Sequence, residues 1–136
     1  MRGHWPVVAV IVFWSMVLTA STCIEPKPLQ VRQLCGRVVD PAGGVIPGVE
    51  LQLIDSQKNV VASAEADDQG TFAFSQLQEG NYRLTTKTRE AGFKDVYWPI
   101  RVTRPTNSGQ DCKRPLYVQL APWSCGGSVS QKGYRP

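Results

Sequence analysis

The chain has 136 residues, 42% of them hydrophobic and 19% charged, and its 15 basic and 11 acidic side chains give a formal net charge of +4. That size and balance fit one globular domain and exclude a disordered chain, and the charge is too mild to indicate a nucleic-acid binder. The sequence contains a single histidine, His4, so histidine-dependent chemistry could rest only there.

Residues 1–22 read as a secretory signal peptide. Arg2 and His4 make a short basic head, residues 7–20 are apolar apart from Ser15 and Thr19, and the small residues Ala20, Ser21 and Thr22 follow. The apolar run is shorter than the ~20 residues a bilayer-spanning helix needs. Export with cleavage is the expectation. Cleavage removes Arg2, lowering the net charge by one, and removes His4, leaving no histidine for a zinc site or a catalytic triad. Neither enzymatic activity nor a cofactor is expected.

Export also sets the reading of the four cysteines, Cys23, Cys35, Cys112 and Cys125. In an oxidising compartment such residues form disulfides more often than metal sites, and none of the spacings is Cys-x-x-Cys. Cys23 has a second fate open to it. The segment LTASTC resembles the lipobox of bacterial lipoproteins, with Ala20 where leucine is usual and Thr22 where glycine or alanine is usual. Membrane contact is expected only through a lipid on Cys23, and the mature chain is expected to be periplasmic, extracellular or anchored as a lipoprotein.

Residues 23–34 read as a linker. CGRVVD then gives a strand with Val38 inward, PAGGVIPG a loop, and VELQLID a strand alternating Val49, Leu51 and Leu53 with Glu50 and Gln52. NVVASAEAD places Val60, Ala62 and Ala64 on one face, and Asp67, Asp68, Gln69 and Gly70 form a turn. Phe72 and Phe74 mark the next strand and Tyr82 and Leu84 the one after, with Leu77 inward between them and Gly80 free to take a positive φ. VYWPIRVT and PLYVQL complete the set, the latter with Leu116, Val118 and Leu120 in step. Seven short strands without a helical period predict an all-β, antiparallel-dominated sandwich over residues 35–121, followed by a tail at 122–136.

The run Gly70-x-Phe72-x-Phe74-x-x-Leu77-x-x-Gly80-x-Tyr82-x-Leu84, preceded by GRVVDPAGGVIPGVELQL, resembles the carboxypeptidase regulatory-like domain. The resemblance covers about residues 35–103 and implies a seven-stranded prealbumin-like (Ig-like) sandwich, related to collagen-adhesin B-type repeats and starch-binding-like modules. In metallocarboxypeptidases that domain sits beside a catalytic domain and aids its folding or positioning; the present sequence holds no such partner domain. It also implies that the first and last strands run side by side and parallel, which would bring Cys35 and Cys112 together in a disulfide. Cys125 would then pair with Cys23, or stay free if Cys23 is lipidated. Cys35 with Cys125 and Cys23 with Cys112, or Cys23 with Cys35 and Cys112 with Cys125, remain the alternatives. An adhesin-type Lys to Asn crosslink has no counterpart here, because Arg37 stands in the first strand and PLYVQL offers no partner.

Three polar or aromatic features are candidate sites. Glu65, Asp67 and Asp68 could suggest a carboxylate pair or calcium, but EADDQG lacks the alternating ligand pattern of a calcium loop and reads as a solvated turn. Arg83, Lys87 and Arg89, with Lys94, Arg101 and Arg104, form a basic stripe that is either a solvated face or a surface for an anionic partner. Tyr97, Trp98 and Trp123 are candidates for stacking on sugar rings, against the plainer reading of Trp98 as packing at the sandwich edge. The expected function is a noncatalytic structural or interaction module of the cell envelope, with an envelope protein or glycan as partner. The alternative is a carbohydrate-binding module.

Overall fold

Nine strands form two sheets in the computed structural model, which describes residues 23–105, 111–123 and 125–131. The signal peptide expected at residues 1–22 lies outside the described residues. The strands are β1 (Leu29–Val31), β2 (Cys35–Val39), β3 (Glu50–Ile54), β4 (Val60–Glu65), β5 (Thr71–Ala73), β6 (Gly80–Lys87), β7 (Tyr97–Val102), β8 (Leu116–Gln119) and β9 (Ser128–Ser130). One sheet has the order β1-β7-β6-β3-β4 and the other β5-β2-β8-β9. Two pairs, β1 with β7 and β2 with β8, are parallel; the other strand pairs are antiparallel.

The seven strands expected from alternation are all present, and two more flank them. The segment expected as a linker contributes β1, and the segment expected as a tail contributes β9. Each added strand has three residues and buries one apolar side chain, Val31 at 1% exposure and Val129 at 4%. A three-residue strand offers too few alternations to stand out as a period, and the pairing along an existing edge is what creates it.

Alternation delivers the core. Leu51, Leu53, Leu84, Ile100 and Val102 from the larger sheet face Val38, Phe72, Leu116 and Val118 from the smaller, all essentially without solvent exposure. Each such side chain gains roughly 1.5–3 kcal/mol from burial. Phe72 and Phe74, two apart and so on one face of the chain, meet edge to face with centroids 6.1 Å apart. Thr86, buried in β6, keeps its polar groups satisfied: its Oγ1 accepts from the Val96 amide at 2.9 Å, and its own amide donates to the Val96 carbonyl.

The turns have a shared local chemistry. Asp40, Asp55 and Asp67 each accept two backbone amides on one carboxylate oxygen, from the residues two and four positions on, at 2.8–2.9 Å. A short acidic side chain thereby replaces ladder bonds that the chain gives up on reversing. Gly70 closes the Asp67 turn at φ 71, as a glycine must where a Cβ would approach the Val38 carbonyl at 2.8 Å. Gly80 does not take the positive φ expected of it; it begins β6 opposite Val102, and Gln76 supplies the left-handed residue of that loop at φ 55.

Candidate functional site

Strand direction separates the sandwich into two ends. β1 and β7 finish, and β2 and β8 begin, at one end; there the chain passes twice from the larger sheet to the smaller, from β1 to β2 and from β7 to β8. The opposite end holds the start of β7 and the turns leading into β1 and β9. Each end carries a disulfide. Cys35 and Cys112 are joined at the crossover end with Cα atoms 6.0 Å apart, and Cys23 and Cys125 at the other with 5.5 Å. The Cys23 sulfur is thus committed to Cys125, and a thioether lipid on it would exclude this bond. The two fates named for Cys23 are mutually exclusive, and the structure holds the disulfide.

The three candidate aromatics do not form one platform. Tyr97 and Trp98 are consecutive in β7, so they project to opposite faces. Trp98 pairs in register with the core residue Leu84 and packs, half-buried, against the core, its Nε1 enclosed without a protein acceptor among the described residues. Tyr97 is 63% exposed on the outer face and Trp123 54% exposed in the turn before Cys125. Period two forbids adjacent strand residues a shared surface, which corrects the expectation that Tyr97 and Trp98 act together.

The basic stripe is also divided. Arg83 and Lys87 share the outer face of β6, but Arg83 forms an ion pair with Glu25 at 2.7 Å, and Lys87 stands opposite Glu50 in register. Both partners of the ion pair are more than half exposed, which makes it worth little in stability. Among the acids, Asp67 spends its Oδ1 on the turn amides of Gln69 and Thr71. Among the described residues no three histidine, cysteine or acidic side chains group as metal ligands.

Arg104 instead joins a different constellation at the crossover end. A groove of about 1030 Å³ is lined there by Arg32, Arg104, Lys113 and Arg114, with Asp111 as the one acidic residue among the described residues of its lining. Its walls are held in place. The Gln33 carboxamide donates from Nε2 to the Asp111 carbonyl at 3.0 Å and accepts on Oε1 from the Lys113 amide at 3.2 Å. The Cys35–Cys112 bridge fixes the residue between them. Thr103 Oγ1 donates to the Val31 carbonyl, and Gln131 Nε2 to the Gln30 carbonyl, tying in the ends of β7 and β9. Arg32, Lys113 and Arg114 do not stand out in the sequence as a group. A signal for them is nevertheless present there: they flank Cys35 and Cys112, and joining those two cysteines gathers the cations.

Two sheets with parallel β2 and β8 at the heart of the smaller one define a prealbumin-like sandwich with a disulfide at each end. The same architecture appears in 5-hydroxyisourate hydrolase from Klebsiella pneumoniae, to which the chain is similar with a TM-score of 0.52 at 21% identity over 80% of this chain and 100% of that one. That likeness concerns the fold alone. A weaker similarity, TM-score 0.45 at 20% identity, links 62% of the chain to 11% of the pilus adhesin from Streptococcus pneumoniae. No curated protein matches the sequence. The profile of the carboxypeptidase regulatory-like domain matches residues 33–113, more than half of the chain, and the protein belongs to that family.

Proposed function

We propose that the protein is a noncatalytic structural or interaction module of the cell envelope. The observation that carries this reading is the placement of the disulfides, one at each end of a regulatory-like sandwich. Paired disulfides suit an oxidising compartment outside the cytoplasm. Stapling both ends makes a small domain resistant to opening, which suits a scaffold. Its partner on this reading is an envelope protein or a glycan, and contact with the membrane arises only if Cys23 carries a lipid in place of its disulfide.

Cell fractionation with thiol alkylation before lysis tests the reading. The chain is expected outside the cytoplasm with no alkylated cysteine; a cytoplasmic, fully alkylated chain would overturn it. An alkylated Cys125 on a chain heavier by an acyl group would instead select the lipoprotein form. Because the hydrolase neighbour shows that this fold can host catalysis, purified protein should also be offered 5-hydroxyisourate, with no acceleration of its breakdown expected. A second reading, carbohydrate binding by stacking, keeps the exposed Tyr97 and Trp123 as its supports. Titration of neutral oligosaccharides against Trp123 fluorescence decides it.

A further inference from the structure

We infer that the crossover groove is a binding site for an acidic polysaccharide, a chain of hydroxylated rings bearing carboxylates. Arg32, Arg104, Lys113 and Arg114 reach it from three separate segments, against the single carboxylate of Asp111. The side chains of Arg104, Lys113 and Arg114 are exposed and have no ion-pair partner among the described residues. Three such charges of one sign, gathered in one lining with a single described carboxylate, repel each other and focus potential into the concavity. The fold maintains this arrangement by covalent and hydrogen-bonded means: the disulfide at Cys112 and the Gln33 carboxamide clamp on Asp111 and Lys113. Preorganised walls lower the ordering cost that a flexible basic loop would incur on binding.

The chemistry of the lining selects the class of ligand. Guanidinium forks at Arg104 and Arg114 match carboxylates, and equally phosphates, two hydrogen bonds at a time, so the hydroxyl-accepting group beside them carries the choice between the two. Gln131 donates through Nε2 to the Gln30 carbonyl, which leaves its Oε1 as an acceptor at the groove wall suited to a sugar hydroxyl. The described lining holds no aromatic side chain on which nucleobases or neutral sugar faces would stack. At about 1030 Å³ the groove has room for a segment of a polymer. The inference goes beyond the envelope-module reading and does not depend on it, since it concerns purified protein.

The test is calorimetric titration of protein with both disulfides formed, using polygalacturonate as the probe, dextran as a neutral polymer and inorganic polyphosphate as a second polyanion. Polygalacturonate should bind, more weakly as salt is raised, and dextran should not. Arg104→Gln/Arg114→Gln should weaken binding by about tenfold or more, since a single charge-assisted hydrogen bond already accounts for about that factor. Lys27→Gln/Lys94→Gln removes the same charge outside the groove and should change affinity less than about twofold, as long-range screening requires. Melting temperatures of both variants verify folding, and because all four residues are exposed neither should shift. No binding of polygalacturonate, equal weakening in the two variants, or polyphosphate binding tighter than polygalacturonate would each overturn the proposal.

Discussion

Removing the inner disulfide measures how the two staples share the stability of the sandwich. Cys35–Cys112 spans a separation of 77 residues and lies inside the separation of 102 spanned by Cys23–Cys125. The rings are nested, so their effects on the unfolded chain are coupled. In the chain-entropy relation a 77-residue ring alone is worth about 4.5 kcal/mol and a 102-residue ring about 4.7 kcal/mol. With both closed, the unfolded chain holds the inner ring and an outer ring of about 25 residues worth about 3.5 kcal/mol, for about 8 kcal/mol together. Loss of the inner bridge should therefore cost about 3.3 kcal/mol, loss of the outer about 3.5 kcal/mol, and loss of both about 8 kcal/mol, which exceeds the sum of the two. At roughly 4 °C per kcal/mol for a domain of this size, Cys35→Ala/Cys112→Ala should melt about 13 °C below the parent. Circular dichroism of this variant, of Cys23→Ala/Cys125→Ala and of the variant lacking all four cysteines supplies the comparison. The last of these should be largely unfolded at 37 °C, because domain stabilities total only about 5–15 kcal/mol. An inner-pair variant within about 3 °C of the parent, or a cysteine-free variant destabilised by less than the sum of the two pairs, would refute the nested-ring reasoning.

Three further outcomes follow from local geometry. Gly36→Ala drives a Cβ into the Leu116 carbonyl oxygen, in the parallel pairing of β2 with β8; a destabilisation of about 3 kcal/mol or more is expected in urea unfolding, and an unchanged midpoint would contradict the register. Asp67→Ala removes two amide hydrogen bonds at 2.9 Å and should cost about 1–2 kcal/mol, with Asp67→Asn recovering most of it because its carbonyl oxygen can still accept; equal destabilisation in the two would show that the charge matters rather than the turn. Trp123 should be quenched readily by iodide and Trp98 poorly, as read from Trp98→Phe and Trp123→Phe variants; easy quenching of Trp98 would place its ring outside the core.

The strands were legible because burial repeats every second residue. Leu51 and Leu53, Phe72 and Phe74, and Leu116 and Val118 alternate with polar or less buried neighbours, and every such pair is buried in the structure. β1 and β9 were not legible for a related reason. LQV and SVS each bury one side chain, too few to show a period; the partner of β1, Ile100 to Val102, lies far off in sequence, while β9 turns back onto Tyr117 to Gln119 of the preceding strand. Gly70 adopts in the Asp67 turn the left-handed conformation that glycine makes easy, whereas in the next loop Gln76 adopts it and Gly80, the glycine expected to, pairs in β6 instead.

The candidate site was harder to read, and the reason is topological. Arg104 was visible as one cation in a stripe along β6 and β7, a grouping suggested by closeness in sequence. Yet Arg104 lies beyond the end of β7, past the last residue paired to β6, so it leaves the sheet face and turns toward the crossover end. Arg32 and Arg114 are 82 positions apart and meet there only because β1 and β7 end where β2 and β8 begin. Parallel pairing is what produces this meeting. An antiparallel β2 and β8 would place Cys112 and its cationic neighbours at the far end of the sandwich from Cys35, where the disulfide could not close. The bond that staples the sandwich and the groove that gathers its cations thus arise from the same parallel register, and a substitution that shifts that register should abolish both together.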